Sequence, residues 1–169
     1  MQQGLVQIYY GTGKGKTTAA VGQGIRAVGN NLKVIMIQFL KNDTSGECQI
    51  LKGMEPKFKV FHFEKARGPI KELRAEDKHE LTQEITLALK FSKKVMDTME
   101  CDLLILDEVL DAVEQGFVDE TYLIELIQMK PEAIELILTG SKLPENLRLQ
   151  VDTINRIDAE KHPMEETQV

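Results

Sequence analysis

Seven residues near the amino end, Gly11-Thr12-Gly13-Lys14-Gly15-Lys16-Thr17, gather three glycines, two lysines and two hydroxyls into one turn. Those types suit one task. Glycines let the backbone curl until successive N–H groups converge on an anion. Lysine adds a full positive charge, and a hydroxyl at the start of the next helix can hold a magnesium or manganese ion. The amino end of that helix contributes its own partial positive charge. A glycine-rich turn ending in Gly-Lys-Thr, after a strand and before a helix, is the pattern of a phosphate-binding loop. Lys16 would neutralise phosphate oxygens and Thr17 would reach the metal. The pattern is altered in one place. The position five residues before the Gly15-Lys16 pair, usually glycine, is Tyr10, and Lys14 adds a second charge inside the loop.

A second chemical signal is LLILDEVLDAV, which puts Asp107 and Glu108 at the end of an apolar strand. Ligands of open α/β sheets sit off the carboxyl ends of the strands. If this strand neighbours the first, both acids face the loop, and one of them would hold magnesium, directly or through water. Asp111 reads as a solvated helix residue. Cys48 and Cys101 are far apart and read as thiols of a reducing cytosol rather than a disulfide or zinc pair. His62, His79 and His162 are scattered and read as surface or packing residues.

The elements that must position these groups alternate. Strands are expected at 5–10, 33–40, 57–63 (nearer an edge), 103–106, 134–138 and 153–157. Helices are expected at 17–28, 76–100 and 123–129, with a short one at 144–151. Residues 64–75 read as a long loop, a place for a binding lid. Strand–helix alternation with continuous apolar runs predicts a three-layer α/β/α domain on a mostly parallel sheet over 1–157, with a polar tail at 158–169. The chain's 169 residues suffice for one such core, and its net charge of −6 argues against a nucleic-acid scaffold. Its longest apolar runs are too short to cross a bilayer, and the amino end lacks a secretory pattern. A cytoplasmic protein with no membrane partner is the expectation.

These residues resemble the ATP:corrinoid adenosyltransferases that carry a RecA-like phosphate-loop fold. The likeness runs through GTGKGKTTAA at 11–20, including the altered loop, and through Arg26-Ala27-Val28-Gly29 and Lys33-Val34. It continues through Gln38-Phe39-Leu40-Lys41 and Leu106-Asp107-Glu108. Leu138-Thr139-Gly140, Pro144, Leu147, Asp152 and Lys161-His162-Pro163 complete it. The resemblance implies that ATP binds in the reverse direction to most phosphate-loop proteins, leaving ribose C5′ open to a cobalt(I) corrinoid, with triphosphate as leaving group. It implies Gly11, Thr12, Gly13, Lys14, Gly15, Lys16, Thr17 and Thr18 for the phosphates, and Thr17 with Glu108 for magnesium, supported by Asp107. Arg26, Gln38, Lys41 and Glu47 match positions near the nucleotide or the corrinoid. A homodimer and a reductase supplying cobalt(I) are implied partners.

Three departures concern the corrinoid side or the outer edge of the active site. Family members usually carry an aromatic-bearing loop after the third strand, whereas residues 64–75 hold no aromatic and the chain has no tryptophan. Ser141 stands where many members have arginine, and the glycine-containing segment that follows Lys-His-Pro in many members is replaced by MEETQV. Two further readings therefore stay open: an ATPase in which Glu108 orients water, and a nucleotide-binding protein without corrinoid activity.

Overall fold

The computed structural model describes residues 3–41 and 46–161. Six strands form one sheet: β1 (Val6–Tyr10), β2 (Val34–Gln38), β3 (Phe58–His62), β4 (Leu103–Asp107), β5 (Glu135–Gly140) and β6 (Thr153–Arg156). Their order is β3-β2-β4-β5-β1-β6, and every pairing is parallel. Parallel strands need crossover helices, which bury both faces. Hence β2 and β4 are buried at every position, while β3, with its alternating sequence, lies at an edge as expected.

Alternation along each strand sorts side chains between two helical layers. Ile8, Ile35, Ile37, Leu104, Leu106, Leu136 and Leu138 face α3 (Ala75–Asp97), α4 (Val109–Glu114) and α5 (Glu120–Gln128). Tyr9, Val34, Met36, Ile105 and Ile137 face α1 (Lys16–Gly29) and α2 (Gly46–Lys52). Both layers are covered, which is the three-layer architecture that the alternation predicts. The helix α1 approaches the sheet closely at Gly24, where any Cβ would stand 2.4 Å from the Phe58 ring.

Two helices lie where the sequence reading placed none. The helices α2 and α4 span seven and six residues, under two turns each, too short to show a helical period. The loop 64–75 contains a 3₁₀ turn at Ile70–Glu72, and the expected helix at 144–151 is a 3₁₀ segment, Glu145–Gln150. Residues 158–161 of the expected tail are described, and His162 and Pro163 lie outside the described residues. No helix among the described residues is long and apolar enough to cross a membrane.

Candidate active site

The parity that sorts the core also builds the site. Gln38 at the end of β2 is in register with Asp107 at the end of β4, and Leu106 with Leu138, so Thr139 follows beside Asp107. All three side chains point to the α1 layer. The first and fourth strands are not neighbours, contrary to the condition set for Asp107 and Glu108 to face the loop, because β5 stands between them. The meeting happens nevertheless, since α1 packs across β4 and β5 and brings Thr17 over the ends of both.

Asp107 is fully buried. Its Oδ1 accepts hydrogen bonds from Thr17 Oγ1 at 2.9 Å and Thr139 Oγ1 at 2.8 Å. Its Oδ2 accepts from Lys41 Nζ at 2.5 Å. The Thr139 hydroxyl in turn accepts the Glu108 N–H at 2.7 Å. Thr139 is thus a site residue that the sequence showed as a strand end and as part of the family likeness, with no role assigned; strand parity was the signal that could have found it. Burial works against the charge of Lys41, but Asp107, Glu108 and Glu47 outweigh it and raise its pKa. The ammonium stays protonated.

Glu108 turns the chain out of β4 with φ 62 and ψ 17, a left-handed conformation costing about 1 kcal/mol or more for a residue with a Cβ. It aims the carboxyl at the cleft. Burial pushes that carboxyl up to about 7; Lys41 pulls it down, and Asp107 and Asp111 add to the rise. Asp111 is more than a solvated helix residue: it accepts the Ser141 N–H at 3.0 Å and lines the cleft.

Opposite the acids lies the loop. Gly11 has φ 128, and a Cβ there would stand 2.2 Å from Ile157 O, so only glycine can occupy it. Tyr10, by contrast, is still in β1 pairing with Gly140, which is why a side chain is tolerated there. Its ring and hydroxyl lie beside Arg148. The loop is braced from outside by Gly13 N–H to Ile157 O at 2.8 Å and by Asp158 Oδ1, which accepts from the Thr12 amide at 3.3 Å. Asp158 therefore packs under the loop, where the sequence reading began a frayed tail.

Inside, the donors are left over. Gly15, at φ 107, precedes α1, and neither a side-chain cap nor an acidic residue occupies the first turn. The first amides of a helix have no intrahelical acceptor, so those of Lys16, Thr17 and Thr18 point outward with the positive end of the helix dipole. The ammonium of Lys16 bends back to Gly13 O at 2.8 Å, and Lys14 is exposed on the cleft rim.

Loop and acids enclose a cleft of about 430 Å³, floored by Thr17 and Glu108 and bordered by Leu40 and Ile70. The last two also line a second hollow of about 280 Å³ beneath the 64–75 segment, with Glu64, Arg67, Leu73 and Leu81. That segment is fastened. Arg67 donates to Glu84 at 2.6 and 3.0 Å and to Glu80 at 2.9 Å. Lys65 also pairs with Glu80. Both carboxyls are held below their ordinary range: Arg67 is the main cause for Glu84, Lys65 and then Arg67 for Glu80. Glu64, buried, accepts the Leu40 N–H with both oxygens at 3.0 Å. The aromatics at the end of β3 turn inward: Phe61 and Phe63 pack on Phe91, with centroids 4.8 and 5.3 Å away.

Of the other expected residues, Glu47 lies close enough to Lys41 to act on its charge, although residues 42–45 between them lie outside the described residues. Gln38 is buried, accepts from the Cys48 thiol at 3.5 Å, and has an unpartnered Nε2. Arg26 does not join the site. It lies ten residues along α1 from Lys16, about 15 Å at the helical rise, in a hollow with Asp102 and Glu135 at the opposite, amino ends of β4 and β5. The rise along α1 keeps the two apart.

The fold has a counterpart in the crystal structure of a KaiC-like protein from Pyrococcus horikoshii OT3. The TM-score is 0.55 at 17% identity, covering 95% of this chain and 76% of that one. A corrinoid adenosyltransferase of Escherichia coli K12 is 26% identical over 162 residues, 95% of this chain and 80% of the relative. One from Pseudomonas aeruginosa PAO1 is 25% identical over 164 residues, 95% and 78% of the two chains. The model of the ATP:corrinoid adenosyltransferase BtuR/CobO/CobP family matches residues 2–169, and the chain belongs to that family.

Proposed function

We propose that the protein transfers the 5′-deoxyadenosyl group of ATP to the cobalt(I) centre of a corrinoid and releases triphosphate. The observation that carries the reading is the uncapped amino end of α1, with Lys14 and Lys16, facing the Asp107–Thr17–Glu108 cluster across one cleft. Its cations and amides lie where a polyphosphate's charge would be neutralised, and the hollow beneath 64–75 adjoins it. Family membership supplies the co-substrate.

The chemistry asks little of the protein's own acids and bases. The cobalt(I) electron pair attacks C5′, the C5′–O bond breaks, and that bond's electrons leave with the triphosphate. Negative charge gathers on the leaving group, and Lys16, Lys14 and the free amides of α1 stabilise it as it develops. Thr17, Asp107 and Glu108 offer one hydroxyl and two carboxylates, a hard-oxygen set that fits magnesium or manganese completed by phosphate oxygens. A divalent ion bound there would draw further charge from the triphosphate. Leu40 and Ile70 give the cleft apolar borders that would limit water at the reacting centre, and fixed positioning would supply much of the rate. Gln38, through its unpartnered Nε2, and Glu47, through its charge beside Lys41, would serve the nucleotide or the corrinoid. Cobalt(I) requires an electron donor, so a reductase is an implied partner. A homodimer is expected from the family likeness, with sedimentation as its check. The buried thiols Cys48 and Cys101, neither in a disulfide, suit the cytoplasm.

A second reading is favoured by one feature. A carboxyl titrating at about 7 can accept a proton from water, so Glu108 would suit hydrolysis of the γ-phosphate. Products separate the two. Anaerobic incubation with ATP, magnesium and reduced cobalamin is expected to give the adenosylcorrinoid spectrum and triphosphate. A persisting cobalt(I) spectrum with ADP and phosphate would establish hydrolysis instead.

A further inference from the structure

The oxygens that would receive a divalent cation already hold a positive charge, and it belongs to the chain. Lys41 Nζ stands 2.5 Å from Asp107 Oδ2, 3.0 Å from Thr17 Oγ1 and 3.6 Å from Glu108 Oε1. Those three side chains are the hard-oxygen set described above. An ammonium so placed and a divalent ion bonded to the same oxygens at about 2.0–2.1 Å cannot share the volume. One must leave for the other to enter.

We propose that Lys41 is an internal counter-cation of the metal site: it holds the Asp107 cluster in the nucleotide-free protein and yields its place when a divalent ion arrives with the triphosphate. The inference rests on reading this cluster as the metal side of a triphosphate site.

Charge and burial explain why such a group is needed. Asp107 is wholly buried, and a buried carboxylate without a cation strongly destabilises a fold. A resident ammonium removes that cost whenever nucleotide is absent. It also makes the divalent site weak on its own, because the ion must displace a 2.5 Å charge-assisted bond. A triphosphate changes the balance, offering both new oxygens to the metal and a new anionic partner to the displaced ammonium. Metal and nucleotide are thereby bound together, a coupling free energy between neighbouring ligands.

The surroundings let the side chain move while its backbone stays. The Leu40 amide is fixed by Glu64, and the Lys41 carbonyl is held by the His62 ring. Leu40, with φ 54, lines the phosphate cleft, so Lys41 springs from the edge of that cleft. Rotation of its own stem would carry the ammonium from Asp107 toward the phosphate cleft.

The test uses manganese alone, followed by electron paramagnetic resonance of the free ion, with neither ATP nor corrinoid present. The whole wild-type chain is expected to show no site tighter than about millimolar, and Lys41→Met to gain one at least tenfold tighter. Glu108→Gln added to Lys41→Met should abolish the gain. A melting scan gives an independent reading: manganese raises the melting temperature of Lys41→Met and leaves that of the wild type unchanged. Should Lys41→Met not fold, Lys41→Gln, which keeps a hydrogen-bond donor, carries the same titration. Equal manganese affinity in wild type and variant would overturn the proposal. Because no substrate is used, a gain of manganese binding stands even if adenosyl transfer fails, and transfer without that gain sinks only the role of Lys41.

Discussion

The two walls of the cleft are both built from charged residues, but they are finished differently. On the phosphate wall, charge and donors are left over: the amides at the start of α1 lack caps, and Lys14 faces outward. On the wall made by 64–74, charge is consumed internally, with Arg67 shared between Glu84 and Glu80 and Glu64 closed on Leu40. Groups with unspent hydrogen-bonding capacity can bind a ligand; a network satisfied within itself can only position one. The comparison accounts for one departure from the family pattern, the aromatic-free 64–75 segment, whereas another, Ser141, borders the phosphate cleft. A wall held by its own ion pairs keeps its shape without an aromatic residue, and Phe63, the nearest, is packed on Phe91 instead.

Substitutions should separate the walls. The largest effect is expected at Asp107, the buried centre of the acid cluster opposite the loop. Asp107→Ala leaves Lys41 without its main partner and should cost about 3–5 kcal/mol in urea unfolding; a cost under about 1 kcal/mol would mean that the pair is not buried in solution. Next comes Lys16→Ala, in which the fold should survive and ATP affinity should fall about a hundredfold, about 2.7 kcal/mol, seen as loss of the ATP-dependent rise in melting temperature. Unchanged affinity would remove Lys16 from the phosphate seat. Arg67→Met should show the reverse behaviour. It strands the mostly buried Glu84 and should lower stability by about 2 kcal/mol, with ATP affinity within about threefold of wild type. A hundredfold loss of ATP binding there would erase the distinction between the walls.

The last effect, similar in size to that at Arg67, concerns pH. Glu108 titrates at about 7 in the folded protein against 4.5 as a free side chain. A raised carboxyl favours folding below the unfolded value, and that contribution is lost as pH climbs through the folded one. Without metal or nucleotide, the wild type should therefore lose about 2 kcal/mol between pH 4.5 and 7, its partial exposure being allowed for. Glu108→Gln should lack this loss, its stability falling by about 2 kcal/mol less than the wild type's across that window; parallel curves for the two proteins would place the carboxyl in ordinary solvent.

Much of this was legible in the sequence because continuous apolar runs and the loop's glycines are local signals. The strands from β1 to β6, the helix α1 and the long α3 fall within a few residues of where periodicity puts them. What the chain hid was relational. Thr139 bonds Asp107 only because β5 lies between β4 and β1, an order no single segment encodes. Asp158 looks like polar tail until β6 brings it beneath Thr12. The bonds that Lys41 Nζ donates to Thr17 and Asp107 join three segments far apart in sequence. Arg26 erred the other way: a matching residue on a matching helix, placed by that helix at the wrong end of the sheet.

The orientation of ATP tests the central claim most directly. A crystal structure of the complex with magnesium and a non-hydrolysable ATP analogue should show the triphosphate on the amides of residues 14–18, with ribose C5′ turned toward the hollow beneath 64–75. A nucleotide lying the other way, with only its terminal phosphorus reachable from that hollow, would contradict adenosyl transfer.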